Sequence, residues 1–430
     1  MTKFLHIADI HLGIKRYGLE ERTKDFFRAW YDCLQKYAVR EGVDFVLIAG
    51  DLFDRRQIDP QAANHAIFGL NRLKEAGIPV FAIEGNHDQR ETGSDFSWLR
   101  SFSQWRFLNL LEPIHSESGI EYQPWNEQQR EGSYIDYKDV RIFGSRWYGV
   151  TTTNVLPQLQ VALQPHLRAG AYNIMMLHAE IEGQLNRPIP ALSTSKLLQL
   201  REGINYLALG HIHKNFVIED WAYNPGSLEA ASMDEYQERR GAYLVELVNG
   251  EVRAKLVGDY YQRSFRFLNF DLATFSEPDE ASLALGKFLL AELPDERVEE
   301  EPLVVVTLTG RLSFKSSLIK LESVKKEALM QRRVLDIIFR NETVPVEYAV
   351  AVDLGSGTPR SERELRVIED LVAQHARYRD RAPELANLIL EMKRLTLAGE
   401  PPDRLLELLE RQAYPSQPEL AGLIKLATLS

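Results

Sequence analysis

The sequence predicts a layered α/β fold whose strands are buried on both faces. Three observations predict it. Short runs rich in Val, Ile, Leu and Phe recur through the first 230 residues without clean alternation, as strands covered on both sides do. Helix-like segments lie between several of them. Each run stops at polar residues, and in layered α/β sheets ligands gather at the carboxyl ends of strands.

The elements follow in order. "FLHIA" (4–8) runs into Asp9, with His11 two residues on. Residues 20–41 carry apolar positions at helical spacing, and Gly42 sits where that helix would end. "FVLIAG" (45–50) ends in Asp51, with Asp54 three residues on. "DPQAA" opens a second helical stretch over 60–77, with proline in the first turn and Gly77 at the close. "IPVFAIEG" (78–85) ends in Asn86, His87 and Asp88. "YNIMML" (172–177) ends in His178, and "INYLALG" (204–210) in His211, with His213 two residues on. One such ending would be an ordinary turn or helix cap, and one buried histidine an ordinary core residue. Here five of the ten histidines follow these runs, together with Asp9, Asp51, Asp54, Asn86 and Asp88.

Size and composition bound the rest. A chain of 430 residues suggests two or three domains, and 44% hydrophobic with 26% charged residues is ordinary for a folded globular protein. Cys33 is the single cysteine, which excludes an internal disulfide and a thiolate zinc cluster and fits a reducing cytoplasm. "MTKFLHIADIHLG" is no signal peptide, since its apolar run is short and holds His6 and Asp9. No stretch has the apolar length of a membrane span. The net charge of −11 has the wrong sign for a protein that wraps nucleic acid by itself.

Imidazole nitrogens with carboxylate and amide oxygens suit borderline-hard divalent metals such as manganese, iron or zinc. Asp9, His11, Asp51, Asn86, His178, His211 and His213 are too many ligands for one ion and natural for two. A shared carboxylate bridges ions about 3.5–4 Å apart, and such pairs clamp the oxygens of a phosphoryl displacement. Phosphoester hydrolysis is the reaction class expected.

Asp9-Ile10-His11, Gly50-Asp51-Leu52-Phe53-Asp54, Gly85-Asn86-His87-Asp88, His178 and Gly210-His211-Ile212-His213 together resemble the calcineurin-like metallophosphoesterases. "ADIHLG", "VDFVLIAGDLF", "IPVFAIEGNHD" and "NPGSLE" (224–229) narrow the resemblance to the Mre11/SbcD nucleases of double-strand break repair, most strongly over residues 1–245. The resemblance implies a β-sheet sandwich flanked by helices. It implies that Asp9, His11 and His213 hold one metal, Asn86, His178 and His211 the other, and that Asp51 bridges them, the ions being Mn2+. It makes His87 the catalytic group over the scissile phosphate, with Asp88 as its orienting acceptor. Asp54 stands where many of these nucleases carry histidine. It is expected to support the site, the alternative being a turn cap. Arg55 and Arg56 are either phosphate contacts or solvated loop residues, and His6 is a core or sheet-edge residue. Phe96, Trp98, Phe102 and Trp105 form an aromatic cluster that either stacks on bases or packs as an amphipathic helix, the latter, as a dimer face, being the expectation. In the family that region and the helix near 61–76 build a homodimer.

Past 245, "GAYLVELVNGEVRAKLV" reads as a hairpin turning at Asn249-Gly250. It closes a first domain over 1–258. "FRFLNFDL", a helical "EASLALGKFLLAEL" and "PLVVVTLTG" suggest a small β-α-β module over 262–350, which in the family caps the site and guides DNA. "GSGTPRSE" (355–362) falls in a linker over 351–362. Ser361 to Glu364 has the form of a capping box, and amphipathic helices follow over 363–430. The family binds a Rad50/SbcC-type ATPase there, and such a partner would supply the basic surface that this acidic chain lacks. The resemblance thus implies a cytoplasmic DNA nuclease, exonuclease and endonuclease, acting 3′ to 5′ on duplex ends. A phosphatase or phosphodiesterase on the same fold, and a scaffold with structural metals, are the alternatives.

Overall fold

The computed structural model describes residues 2–91, 94, 96–117, 119–185, 191–295, 300–344, 360–373, 378–398, 400 and 402–413. The chain divides into two units, Met1–Phe265 and Arg266–Ser430.

The first unit holds two six-stranded sheets. One runs across its width as Glu251–Val257, Ala242–Val248, Thr2–Ile7, Phe45–Ile48, Val80–Ala82 and Asn109–Leu110. Its last four strands are parallel. Parallel neighbours need crossovers, which the helices Glu20–Cys33 and Pro60–Glu75 supply. The other sheet runs as Phe216–Ile218, Ala222–Asn224, Tyr206–Gly210, Tyr172–His178, Val140–Phe143 and Tyr134–Tyr137.

Strand Thr2–Ile7 shows why alternation is missing. Phe4 joins an apolar layer built from both sheets, with Phe45, Met176 and Tyr206. Leu5 and Ile7 face the opposite way, into a core shared with Trp30 and Leu70 of the helices. His6 points between the sheets: its Nδ1 meets the Tyr206 hydroxyl at 2.9 Å and its Nε2 the Leu209 carbonyl at 3.0 Å. Burial pushes its imidazole down to about 3, so it is a neutral core residue.

The helices begin and end where the sequence places them. Asp59 accepts a hydrogen bond from Ala62 N at 2.8 Å ahead of Pro60, and Gly42 and Gly77 take positive φ of 61° and 72°. Glu20–Cys33 runs on into a π-helical stretch, Leu34–Arg40. Asn249 and Gly250 both have positive φ, as a two-residue hairpin turn requires. The five strand ends come from two sheets, as a sandwich requires: Asp9, Asp51 and Asn86 follow strands of the first, while His178 ends and His211 follows strands of the second. Face-to-face packing brings the two edges together.

A fully buried ionic cluster ties the helix Glu20–Cys33 to the end of this unit. Asp25 accepts from Arg22 at 2.7 Å, from the Tyr261 hydroxyl at 2.6 Å and from both Arg263 Nε, at 3.0 Å, and Nη2. Glu229 of "NPGSLE" accepts from Arg22 at 3.2 Å and from the Arg263 amide at 2.8 Å. Removing one member of such a cluster strands buried charge. Asp25→Ala is therefore expected to destabilise this unit by about 3–5 kcal/mol, read from denaturant unfolding. A loss under about 1 kcal/mol would show that the guanidinium groups find other partners.

The second unit holds a three-stranded sheet, Phe265–Asp271, Leu303–Thr309 and Asp336–Asn341, with helices Pro278–Glu292 and Leu321–Gln331. The expected β-α-β pattern is extended by a further helix and strand, and Leu303–Thr309 pairs with Asp336–Asn341 in parallel. Leu285, Leu289, Val304, Val306 and Ile337 form its core. Helices Arg360–Ala373, Ala382–Leu397 and Pro402–Ala413 follow. Residues 351–359 of the expected linker lie outside the described residues. Helix already begins at Arg360, so Ser361 stands inside the first turn instead of capping it. Among the described residues no helix is long and apolar enough to cross a membrane.

Candidate metal centre

The strand-end loops hold one another. Asp9 N donates to Gly50 O at 3.1 Å, Ile10 N to Asp51 O at 2.8 Å and Leu12 N to Leu52 O at 2.9 Å. Asp9, His11, Asp51 and His211 all have positive φ, between 51° and 96°. Few non-glycine residues adopt that region, and such strain persists where the surroundings over-determine it, characteristically at functional sites. The glycines beside them are required by close approach. A Cβ on Gly85 would stand 2.1 Å from Asp51 Oδ1, and one on Gly50 2.4 Å from His178 Nδ1. "NPGSLE" holds the last loop: Asn224 Nδ2 donates to Ile212 O at 2.6 Å and Lys214 O at 2.9 Å, and Ser227 N to His213 O at 3.1 Å.

Three groups of ligand atoms result among the described residues; one is His11, Asp54 and His87, which shares His11 with the first of the other two. Asp9, His11 and His213 form that first one, with the Nε2 atoms of His11 and His213 3.1 Å apart. Asp51, His178 and His211 form the other, and Asn86 Oδ1 lies 3.1 Å from His178 Nε2 and 2.9 Å from His211 Nδ1. Asp51 Oδ2 stands between these two groups, 3.3 Å from His178 Nε2 and 3.8 Å from His11 Nε2.

The remaining ring nitrogens are mostly tied. His178 Nδ1 donates to the Ala49 carbonyl at 2.8 Å, His211 Nε2 faces Glu180 Oε2 at 2.9 Å and His213 Nδ1 faces Glu235 Oε2 at 3.2 Å. A carboxylate or carbonyl on one nitrogen fixes the tautomer and bares the other for a metal. Glu180 and Glu235 were missed in the sequence. Glu180 lies two residues beyond His178, but Glu235 reaches the site from a loop with no distinctive spacing. His11 Nδ1 is buried without a hydrogen bond among the described residues, 3.5 Å from Asp54 Oδ1.

Bare imidazole nitrogens converging on carboxylate and amide oxygens fit divalent cations. The electrostatics agree. Burial raises Asp51, but His178, then His11 and His87, outweigh it and hold the carboxyl well below its ordinary range. Burial lowers His178, yet Asp51 overrides it and leaves the imidazole at about 9. A cation needs that imidazole neutral, so below about pH 9 it competes with the proton shared with Asp51. Mn2+ affinity is expected to rise by up to about tenfold per pH unit from pH 6.5 towards 9, with proton release. Calorimetric titration across that range checks it, and a flat affinity would refute the competition.

Residues 2–215 match the family model of the calcineurin-like phosphoesterases. The domain built on them belongs to that family. The chain is also similar to the DNA double-strand break repair protein Mre11 of Sulfolobus acidocaldarius, 27% identical over 274 residues covering 60% of this chain and 66% of the relative. To the Mre11 of Archaeoglobus fulgidus it is 32% identical over 245 residues, covering 54% and 51%. To the Bacillus subtilis metallophosphoesterase YhaO it is 29% identical over 260 residues, covering 58% of each. The chain thus spans between about half and two thirds of the length of these relatives.

In the phosphoesterase domain, His87 donates from Nδ1 to the Asp54 carbonyl at 2.7 Å, and its ring packs edge-on to His11 at 4.9 Å. The residue expected to orient it does not: the Asp88 oxygens accept from Gly85 N at 2.7 Å and Leu52 N at 2.6 Å. Asp88 is buried two strand ends deep, where burial and then Asp51's charge push its carboxyl up, and there it braces the loops. Asp54 takes over the orienting task through its backbone. Arg55 and Arg56 are exposed, Arg55 lying 3.6 Å from Asp54. Phe102 is fully buried while Phe96 and Trp105 stay more than half exposed.

Proposed function

We propose that this chain is a two-metal-dependent DNA nuclease, a 3′ to 5′ exonuclease on duplex DNA and an endonuclease, that processes ends in double-strand break repair. The observation that carries the reading is the pairing of two ligand groups about Asp51 with an anchored imidazole, His87, beside a cleft of about 580 Å3 lined by Asp51, Asn86, His87, His211 and His213. The Mre11 names of the relatives supply the substrate class.

Asp9, His11 and His213 would hold one ion, Asn86, His178 and His211 the second, and Asp51 would contribute to both. Such ions, Mn2+ in this reading, would supply activation of water and neutralisation of charge on the phosphodiester oxygens. Anchored through Nδ1, His87 presents Nε2 to the substrate; doubly protonated, it steadies the phosphate charge and yields its proton to the leaving oxygen. Asp54 holds that ring, and its carboxylate faces His11.

Exposed Phe68, Phe96 and Trp105 support a homodimer face along Pro60–Glu75 and Trp98–Gln104. Val367, Leu371, Ile389 and Leu397, exposed on the last helices, support docking of a Rad50/SbcC-type ATPase, with residues 262–350 guiding DNA.

The test is Mn2+-dependent degradation of end-labelled duplex DNA beside a small phosphodiester. Shortening of the DNA is the expected result. Turnover of the small ester with DNA intact, even with an added ATPase partner, would replace this reading by a phosphodiesterase or phosphatase.

A further inference from the structure

The cleft has a second wall that the metal chemistry does not use. Residue Arg146 pairs with Glu84 in an isolated parallel bridge, immediately before Gly85-Asn86-His87. That bridge sets Trp147 alongside the Asn86 loop, and its side chain lines the cleft with Val150 and Leu185. Gly149 supports the ring. It has a φ of +57°, and a Cβ there would stand 3.0 Å from Trp147 Cη2 and 3.2 Å from Cζ2, so the indole lies directly over its backbone.

The other tryptophans are accounted for by packing. Trp98 and Trp105 lie against Phe102, Trp125 carries the Arg130 guanidinium, Trp221 Nε1 donates to Ile204 O, and Trp30 is fully buried. Trp147 is only partly buried, and among the described residues it has no aromatic neighbour and no hydrogen bond. An indole spread over a backbone in an open polar cleft is a stacking surface, and a nucleobase presents a π face whatever its identity. Arg16 and Lys214 line the same cleft and provide cations for a flanking phosphate.

We infer that Trp147 is the platform on which an unpaired nucleobase stacks while its phosphate lies at the metal centre. Trp147 is then a positioning residue that selects nucleotide phosphoesters over sugar or alkyl phosphoesters, without preference among bases. The inference rests on the nuclease reading for its substrate class.

The experiment is equilibrium binding of a deoxynucleoside 5′-monophosphate and of deoxyribose 5-phosphate to the full-length Mn2+-loaded chain. Stacking on an aromatic ring makes a gap of roughly tenfold or more the expected result in favour of the nucleotide. Trp147→Ala is expected to abolish the gap with sugar-phosphate binding and metal content unchanged, and Trp147→Phe to keep most of it. Equal binding of the two ligands by the unaltered chain, or an unchanged gap in Trp147→Ala, would overturn the platform. Failure of the nuclease reading is distinguishable, because it appears as intact DNA whatever the binding gap.

Discussion

On the proposed nuclease reading, replacing His87 by alanine is expected to lower DNA cleavage by about 10^2- to 10^4-fold, the usual contribution of a positioned acid or base, while the metal content stays the same. The reason is geometric. Its backbone amide donates to Asp51 Oδ1 at 2.9 Å, and its ring is fixed by the Asp54 carbonyl, so the side chain adds a proton carrier without being needed for the ligand atoms to converge. His87→Gln should recover little, since an amide keeps a donor but cannot transfer its proton at neutral pH. Single-turnover cleavage with metal analysis of the same samples decides the matter. If the ions leave with the ring, His87 is a ligand; if the rate holds, it has no part in proton transfer.

Asp51→Asn is expected to do more: binding of both ions should weaken and cleavage fall below detection. The substitution keeps the shape and the acceptor for the His87 amide. What it removes is the charge between the two histidine groups, beside His178 and within 3.8 Å of His11. Without it, only Asp9 and the Ala49 carbonyl oppose the effect of burial on His178. Asp9→Asn, confined to one group, should release one ion and leave the other. Metal stoichiometry separates these outcomes, and two ions retained by Asp51→Asn would remove that residue from its shared position.

The candidate ligand residues could be picked out in the sequence because most of them stand at or just past an apolar run, so knowing the strand places its end. Asp9, Asp51, Asn86 and His211 sit one to a few residues past a strand, and His178 is the last residue of one. The support of the site was not legible. Asp88 carries the right residue type at the right place for orienting His87, yet its oxygens close the loops of Gly85 and Leu52. Backbone acceptors such as the carbonyls of Ala49 and Asp54 leave no trace in residue identity. Glu235 reaches His213 from a turn whose composition speaks only of turning. Which strands fall in which of the two sheets was not legible from the apolar runs themselves, since a strand buried on both faces looks the same whether a helix or a second sheet covers it.

The division of ligands between the sheets has a consequence for the protein's lifetime. Under the assignment proposed here, one sheet contributes Asp9, His11, Asp51 and Asn86 and the other His178, His211 and His213. The ions then act as rivets through the sandwich, and the layers cannot part until the rivets are drawn. A ligand that binds the folded state alone adds about 4 kcal/mol when present at a thousandfold its dissociation constant. The supply of the divalent cation would therefore set how long each copy survives as well as how fast it works, and copies starved of metal would be the first to reach the proteases.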